Sequence, residues 1–326
     1  MRERMRKSGL LLLVMLLVAS SMVYAAGPGD KIAYPVDLVT FITHSSPGGG
    51  SDLFLRELIP FLSKIIDTKF VVKNIKGGGG APAMAALANS PADGSIFYAT
   101  TPTCIQTPMF SKTEYTIKDL EPMVNILLDP MVVYTRKNSQ FKSLTDVINY
   151  AKANPGKAKW GSGTAMELGR QILEQLVESS GTDARIVSYE GGGELMLSVL
   201  GGTLDIGAGE VAEISSQLDA GQIRILAFFT DNRLAKYPDV PTAKEQGVNL
   251  SLSKFRGLTG PKGLPAEVVS AWEKAIPRLL ADPEYRKLYE DNCLMPAFMN
   301  QKDFQKYVTV TEKELKDYLV KMEVIK

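Results

Sequence analysis

The chain has 326 residues, with 37 lysines and arginines against 36 aspartates and glutamates, one histidine and two cysteines. The net charge of +1 does not indicate binding to a nucleic acid or to a membrane surface, because such binding is typical of strongly basic proteins. A single histidine lacks the usual partners of a Ser-His-Asp triad or a metal cluster, so we expect no catalytic residue, no metal site and no cofactor.

The first 25 residues have the pattern of a secretion signal. Basic residues at positions 2–7 precede the apolar run Leu10–Val18, and a small-residue cleavage pattern ends at Ala25. The run is shorter than the roughly 20 apolar residues that a transmembrane helix needs. No cysteine stands at the cleavage site for lipid attachment, since the two cysteines are Cys104 and Cys293, whose pairing the sequence leaves open. We therefore expect a periplasmic protein whose mature chain begins near Ala26.

Strand-like and helix-like segments alternate from Leu38 onward, which predicts an α/β fold with mainly parallel sheets. The predicted strands are Leu38–Ile42, Phe70–Val72, Ile96–Ala99, Met131–Tyr134 and Ile186–Tyr189. Inward faces of the predicted helices carry Leu55, Leu58, Ile59 and Leu62, then Leu168, Ile172, Leu173 and Leu176, then Met196, Val199 and Leu200. Three aromatic residues are expected in the core: Trp160, Phe228 and Phe229.

Two glycine-rich turns, Ser46–Asp52 and Gly77–Pro82, each lie between a strand-like run and a helix signal. Unpaired N–H groups and the helix dipole favour an anion at a helix N-terminus, and glycine allows close approach to the backbone. The pattern therefore predicts a small anionic ligand. We expect Asp52 to cap its helix, because a carboxylate would repel an anion; for the second turn, a flexible surface loop is the alternative.

A longer ordered set of motifs is similar to the substrate-binding proteins of tripartite tricarboxylate transporters, the TctC or Bug family. The motifs that carry this resemblance are Tyr34-Pro35, Ser46–Asp52, Asn74 with Gly77–Gly80, Asp93-Gly94, Gly161–Thr164, Tyr189–Gly192, Leu200–Asp205, Tyr237–Thr242 and Gly263–Pro265. The resemblance implies a type II-like periplasmic binding protein with a ligand cleft between two lobes. Residues 26–128 would begin lobe 1, residues 129–248 would form lobe 2, and residues 249–326 would return to lobe 1 and add C-terminal helices.

The resemblance also implies the ligand-binding residues. One end of the ligand, a carboxylate, would lie against the two glycine turns, and lobe 2 would hold the other end. The residues expected at the ligand are Ser45, Ser46, Pro47, Gly48, Gly78, Gly79, Gly163, Thr164, Glu167, Tyr189, Glu190 and Asp205. For four of them a structural role is the alternative: solvated acids at Glu167 and Glu190, packing at Tyr189 and turn capping at Asp205.

The chain departs from the family pattern at four positions. His44 stands where the family has proline, and Ser45 where it has an aromatic residue. Glu167 replaces a frequent histidine, and Glu190 a frequent lysine or arginine. Two acids facing the ligand would repel a di- or tricarboxylate, which favours an amine-bearing or neutral distal group. His44 is either a ligand contact or a structural histidine at the strand end.

The resulting hypothesis is a non-enzymatic, monomeric receptor that captures a small organic carboxylate and delivers it to the permease subunits of a membrane transporter. One alternative keeps the fold but presents the ligand to a sensor kinase. A second alternative is an exported enzyme acting on a phosphorylated substrate, although no Walker-type Gly-Lys-Ser/Thr sequence is present.

Overall fold

A computed structural model describes residues 30–45, 47–48, 50–163, 167–189, 192–321 and 325. The signal-like segment and the predicted site residues Ser46, Thr164 and Glu190 lie outside this range. Lys31–Lys326 group into one unit, so the predicted lobe boundaries stay a prediction. Within the part of the chain that the structure describes, every helix is too short or too polar to span a bilayer.

Ten strands and ten α-helices are described. The strands are β1 (Ile32–Thr43), β2 (Ile66–Asn74), β3 (Ile96–Thr100), β4 (Leu120–Arg136), β5 (Lys159–Ser162), β6 (Arg185–Ser188), β7 (Ile206–Glu210), β8 (Ile223–Phe228), β9 (Ser253–Pro261) and β10 (Met295–Met299). The helices are α1 (Gly50–Ile65), α2 (Ala81–Ala88), α3 (Thr103–Phe110), α4 (Leu144–Ala153), α5 (Leu168–Ser180), α6 (Gly192–Leu200), α7 (Val211–Asp219), α8 (Ala266–Ala281), α9 (Pro283–Asp291) and α10 (Gln301–Lys321).

The strands form one mixed sheet in the order β2-β1-β3-β9-β4-β7-β5-β6, with β8 and β10 also paired to β4. The β–α units predicted from the sequence supply the parallel pairs, β1 with β2 and β3, and β5 with β6 and β7. Strands β4 and β9 add antiparallel pairs that the sequence did not predict. The α/β fold class is confirmed, with a mixed sheet between flanking helices.

The long strand β4 joins the two halves of the sheet. Its first part, Leu120–Pro130, pairs with β9, and its last part, Met131–Arg136, pairs with β7 and β8. Each half carries apolar clusters formed with its helices. One cluster packs α1 and α8 around Trp272, and another packs α4 and α5 around Trp160. A single strand therefore connects two separately packed regions at the centre of the sheet.

The predicted helix faces and core aromatics match the observed burial. Leu55, Leu58 and Leu62 are buried on α1, and Ile59 is half-buried. All four predicted inward residues of α5 are buried, and on α6 Val199 is buried while Met196 and Leu200 are half-buried. The three expected core aromatics are fully buried. Cys104 and Cys293 are buried free thiols, so they do not pair with each other.

Candidate functional site

A cavity of about 460 Å³ lies where the two halves of the sheet meet. Its walls come from the carboxyl ends of β1, β3 and β7, the N-terminal turns of α1, α3 and α7, and side chains of β4 and β9. Ligands of open α/β sheets bind at this edge of the strands. A cavity of about 550 Å³ beside Lys118 and Lys262 is larger, but it lies away from these strand ends. We therefore take the first cavity as the candidate site.

The first glycine turn is held in place by Asp52, which is buried in the first turn of α1. Its carboxylate accepts hydrogen bonds from Gly48 N–H at 2.8 Å, from Asn74 Nδ2 at 2.9 Å and from Arg56 Nε at 2.9 Å. The bond from Arg56 is the largest of the effects that lower the pKa of Asp52 to about 2. Asp52 thus organises the turn, as expected for a capping residue. Because Gly48 N–H is already bonded, the described backbone donors of this segment that remain for a ligand are those at the start of the helix.

The start of α1 faces the cavity through Gly50 and Ser51. The first N–H groups of a helix have no partner within the helix, and the helix dipole adds a partial positive charge there. A Cβ atom on Gly50 would lie 3.4 Å from Nη2 of Arg256 and 3.9 Å from Oε2 of Glu210. The helix start therefore lies directly beside charged side chains from β9 and β7.

Those charged side chains form a buried ion network at the base of the cavity. Arg256 is 4% exposed and Asp129 is 1% exposed. The Arg256 guanidinium donates to Asp129 through Nε at 3.0 Å and also through Nη2, which lies 3.2 Å from Oε2 of Glu210. Lys254 forms an ion pair with the other oxygen of Glu210. The network joins β4, β7 and β9 beneath the α1 N-terminus.

The two carboxylates of the network respond differently to burial. Desolvation raises the pKa of Asp129 to about 6, because it outweighs the attraction of Arg256. Desolvation also opposes the charge of Glu210, but Lys254 and Arg256 together outweigh it and lower the pKa of Glu210. Glu210 therefore stays charged at neutral pH, and both cations of the network are already paired.

His44 follows β1 and lines the same cavity. Its Nδ1 lies 2.6 Å from the hydroxyl of Tyr98. Burial, with Lys254 and Arg256 nearby, lowers the pKa of His44 to about 4, so the ring is neutral at physiological pH. The structure thus gives His44 a structural hydrogen bond and a position in the cavity wall. Ser45 and Gly48 also line this wall, and Pro47 between them is exposed.

The second glycine turn packs against α3, Tyr98 and His44 and does not line the cavity. Gly79 O accepts a hydrogen bond from Thr107 Oγ1 at 2.7 Å, and a Cβ atom on Gly80 would lie 2.9 Å from the hydroxyl of Tyr98 and 3.3 Å from Cβ of His44. Glycine is required at position 80 for this close approach. Gly78 and Gly79 are exposed and lie outside the cavity wall.

Three of the residues expected from the middle of the chain lie near one another but outside the cavity wall. Gly163 N–H donates to the Glu167 carboxylate, which is why this acid is turned toward its own backbone. Tyr189 N–H donates to Ser162 O and Gly163 O, and its ring is half-buried against an apolar cluster. In this structure Tyr189 has the packing role of its structural alternative, whereas Glu167 is half-buried and bonded to the Gly163 backbone rather than solvated.

Asp205 lies at the opposite edge of the sheet. It precedes β7, and its Oδ2 accepts the N–H of Lys159, the first residue of the parallel strand β5, at 2.8 Å. The cavity is at the other ends of these strands, about 15 Å away at roughly 3.3 Å per residue. Asp205, which was expected at the ligand, therefore caps the amino ends of these strands and lies away from the candidate cavity.

Glu213 is a further cavity residue that the sequence did not indicate. The residue is exposed as a whole, but its carboxylate is close to the backbone of Gly192 and Gly209 and accepts Glu210 N–H at 3.4 Å. Desolvation of the carboxyl group and repulsion by Glu210 raise the pKa of Glu213 to about 7.

The sequence analysis also missed the two cations of the cavity, Lys254 and Arg256. One sequence signal for them was available, because they are two residues apart in a strand, which places them on one face.

Comparison with known proteins identifies the family of the chain. The family model described as "Tripartite tricarboxylate transporter family receptor" matches residues 54–323. The chain belongs to this receptor family. A UPF0065 protein in the gbd 5′ region of Cupriavidus necator is similar to it, with 26% identity over 303 residues that cover 93% of this chain and 92% of the relative.

Two solved structures show the fold of this receptor family. The R. palustris protein Rpa4515 with adipate has a TM-score of 0.79 and 23% identity, covering 88% of this chain and 97% of that chain. MatC from Rhodopseudomonas palustris with bound malate has a TM-score of 0.71 and 20% identity, covering 87% of this chain and 98% of that chain. The mixed sheet and its flanking helices are thus those of the α/β periplasmic binding proteins.

Proposed function

We propose that this family receptor captures a small organic carboxylate in the cavity and delivers it to the permease subunits of a tripartite tricarboxylate-type transporter. The observation that carries this proposal is the position of the α1 N-terminus beside buried Arg256 and Lys254. Unpaired N–H groups, the helix dipole and two fixed cations all favour a negative group at that point. The adipate and malate in the two R. palustris structures are carboxylates of the expected size.

The binding mode follows from the same geometry. A ligand carboxylate would lie between the N–H groups of Gly50 and Ser51 and the guanidinium of Arg256. Arg256 places guanidinium N–H groups beside the start of the helix, and Asp129 and Glu210 balance its charge. The carbon skeleton would lie against Leu53 and Leu294, which also line the cavity. Ligand exchange would proceed by hinge motion between the two sheet halves.

Thermal unfolding of the ligand-stripped, mature protein tests the binding function. The panel would contain monocarboxylates, dicarboxylates, tricarboxylates, aromatic acids and amino acids. Simple amines, which have no carboxylate, would be the controls. A true ligand at about 100 times its Kd adds about 2.7 kcal/mol of stability. Stabilisation by amines alone, or by no carboxylate in the panel, would contradict the proposal.

A matched pair of variants locates the binding. Lys254→Met removes a cavity cation and leaves Glu210 with a less compensated negative charge, so carboxylate affinity should fall about tenfold, or about 1.4 kcal/mol. Lys274→Met makes the same change at an exposed position of α8 and should leave the affinity unchanged. Equal losses of carboxylate affinity in the two variants would show that Lys254 contributes only through the overall charge of the protein.

Delivery to a permease requires a test in cells. Deletion of the gene should abolish uptake of the ligand found in the panel, and the mature chain should be recovered with the periplasmic fraction as a monomer beginning near Ala26. Normal uptake, combined with ligand-dependent binding to the extracellular domain of a sensor kinase, would replace transport with signalling.

A further inference from the structure

A further cavity lies on the opposite face of β9 from the candidate site. Along this strand Lys254 and Arg256 line the candidate site, whereas Ser253 and Phe255 line a cavity of about 400 Å³ between α5 and α10. Successive side chains of a strand point to opposite faces of the sheet, which explains this division. The described walls of the two cavities have no residue in common. The α5–α10 cavity is therefore a separate space.

The wall of the α5–α10 cavity comes from both halves of the sheet and is largely apolar. Ile105 of α3 and Leu315 of α10 pack with β1 and β3, whereas Leu168 of α5 packs with β5 and β7. All three side chains are buried. Phe255 and Tyr307 add aromatic rings that contact each other edge-on, with centroids 5.8 Å apart. Concave apolar spaces between two packed regions are typical of small-molecule sites.

Two glutamine side chains line this cavity without a hydrogen-bond partner. Gln106 of α3 is 4% exposed, and its side-chain amide bonds to no group among the described residues. Gln171 lines the cavity from α5, and its Oε1 is buried without a donor in the described part of the chain. Leaving buried polar groups unpaired costs free energy. The two amides therefore favour an occupant that forms hydrogen bonds with them.

The charge of the wall restricts the chemistry of that occupant. Within the described wall, Glu314 is the one charged residue, and it is exposed. A glutamine amide both donates and accepts hydrogen bonds. A carboxylate only accepts and would leave Gln171 Oε1 unpaired, and an ammonium group only donates. Either charge would also be desolvated without a counter-charge in the buried part of the wall. The wall fits an uncharged group that donates and accepts.

We propose that the α5–α10 cavity is a second binding site, for an uncharged aromatic molecule with a carboxamide or hydroxyl group. The polar group would donate to Gln171 Oε1 and accept from the amide of Gln106. The ring would lie against Phe255, Tyr307 and Tyr318, which line the same cavity. This site goes beyond the proposed carboxylate function and does not depend on it, because the two walls share no residue.

Aromatic probes that differ in the group on the ring test this proposal by titration in ligand-observed NMR. Benzamide and phenol both donate and accept, toluene does neither, and benzylamine is a charged donor. Benzoate is left out because a carboxylate could occupy the candidate site. Benzamide or phenol should bind at least about tenfold more tightly than toluene and benzylamine, because only they pair the buried amides. Equal binding of toluene, or no binding of benzamide and phenol, would overturn the proposal.

Leucine variants assign the binding to the two glutamines. Gln106→Leu and Gln171→Leu each remove an amide and keep a side chain of similar size, and they should fold because neither amide loses a hydrogen bond within the protein. Each should weaken the tighter probe at least about fivefold and leave toluene unchanged or improved. Gln305→Leu makes the same change on α10 beside another cavity and should bind every probe normally. Folded variants with full affinity for the probe would contradict the assignment.

A measurement on the unmodified protein locates the probe directly. Nuclear Overhauser contacts should join the ring protons of the bound probe to the methyl groups of Ile105 and Leu168. Leu53 and Leu294 line the candidate site and should show no such contacts. Contacts with Leu53 and Leu294 alone would place the probe in the candidate site, and the second site would be rejected while the carboxylate function stands.

Discussion

Replacement of Arg256 by methionine tests the buried ion network on which the site is built. Methionine is unbranched and replaces the aliphatic part of the arginine side chain, but it removes every donor to Asp129 and Glu210, which are 1% and 8% exposed. Deleting one partner of a buried ion pair leaves an uncompensated charge and costs about 3–5 kcal/mol. We expect Arg256→Met to lower the free energy of unfolding by this amount at pH 8, measured by urea denaturation.

The pH dependence of this loss follows from Asp129. Its pKa in the folded protein is raised from 3.8 to about 6 even with Arg256 present, and removal of the guanidinium should raise it further. A raised folded-state pKa destabilises the charged form, so its cost is present at high pH and is lost once the group is protonated. The difference between Arg256→Met and the unmodified protein should therefore shrink as the pH falls from 8 toward 5.

Lys287→Met is the control for removal of a cation. Lys287 pairs with Asp291 at 2.5 Å on the surface of α9, where both side chains are more than half exposed. Exposed ion pairs contribute about 0–1 kcal/mol, so this variant should show little change at any of these pH values. The reasoning would be refuted if Arg256→Met cost no more than Lys287→Met at pH 8, or if its cost grew as the pH fell.

Three further predictions concern the cavity and its surroundings. Gly50→Ala places a methyl group 3.4 Å from Nη2 of Arg256. The variant should fold normally, and its ligand affinity, measured by calorimetry, should fall several-fold. The control is Gly193→Ala, whose methyl group meets no atom within 4 Å and which should bind the ligand normally. Asp52→Asn should lower the free energy of unfolding by about 1–3 kcal/mol at pH 7. This loss should shrink as the pH falls from about 4 to about 2, because the native carboxylate, whose pKa is lowered from 3.8 to about 2, becomes protonated over that range. Asp205→Asn should leave the ligand affinity unchanged. A large loss of affinity would show that Asp205 belongs to the binding site.

The local parts of the fold were predictable because their signals are local. Leu55, Leu58 and Leu62 have helical spacing and lie on one buried face of α1. The glycines before α1 mark a turn at the end of β1, and the structure places the cavity there. Burial of large apolar side chains at regular spacing needs no knowledge of distant partners.

The ion network was not predictable because it depends on distant pairing. Asp129 and Arg256 are 127 residues apart. Their contact follows from the antiparallel register of β4 and β9, in which Asp129 is paired with Lys254 and Leu127 with Arg256. Nothing in either segment alone specifies that register.

The acids that the departures from the family pattern suggested, Glu167 and Glu190, did not indicate the acids of the cavity wall. Those acids include Glu210 and Glu213, which lie at the start of an ordinary helix.

The second glycine turn shows a different limit of sequence interpretation. Glycine permits both close approach of a ligand and close approach of another protein segment, and the sequence does not distinguish the two. At position 80 the neighbours are Tyr98 on β3 and His44 at the end of β1, so the glycine allows the turn to pack closely against these strands. The family resemblance identified the fold and included Gly48, which lines the cavity, but it also included Gly78 and Gly79, which do not, and it missed Gly50.

A crystal structure of the protein with the tightest ligand from the carboxylate panel tests the central claim most directly. The account predicts a carboxylate group within hydrogen-bonding distance of the N–H groups of Gly50 and Ser51 and beside the Arg256 guanidinium. A ligand bound with its carboxylate remote from the α1 N-terminus, or in another cavity, would contradict it.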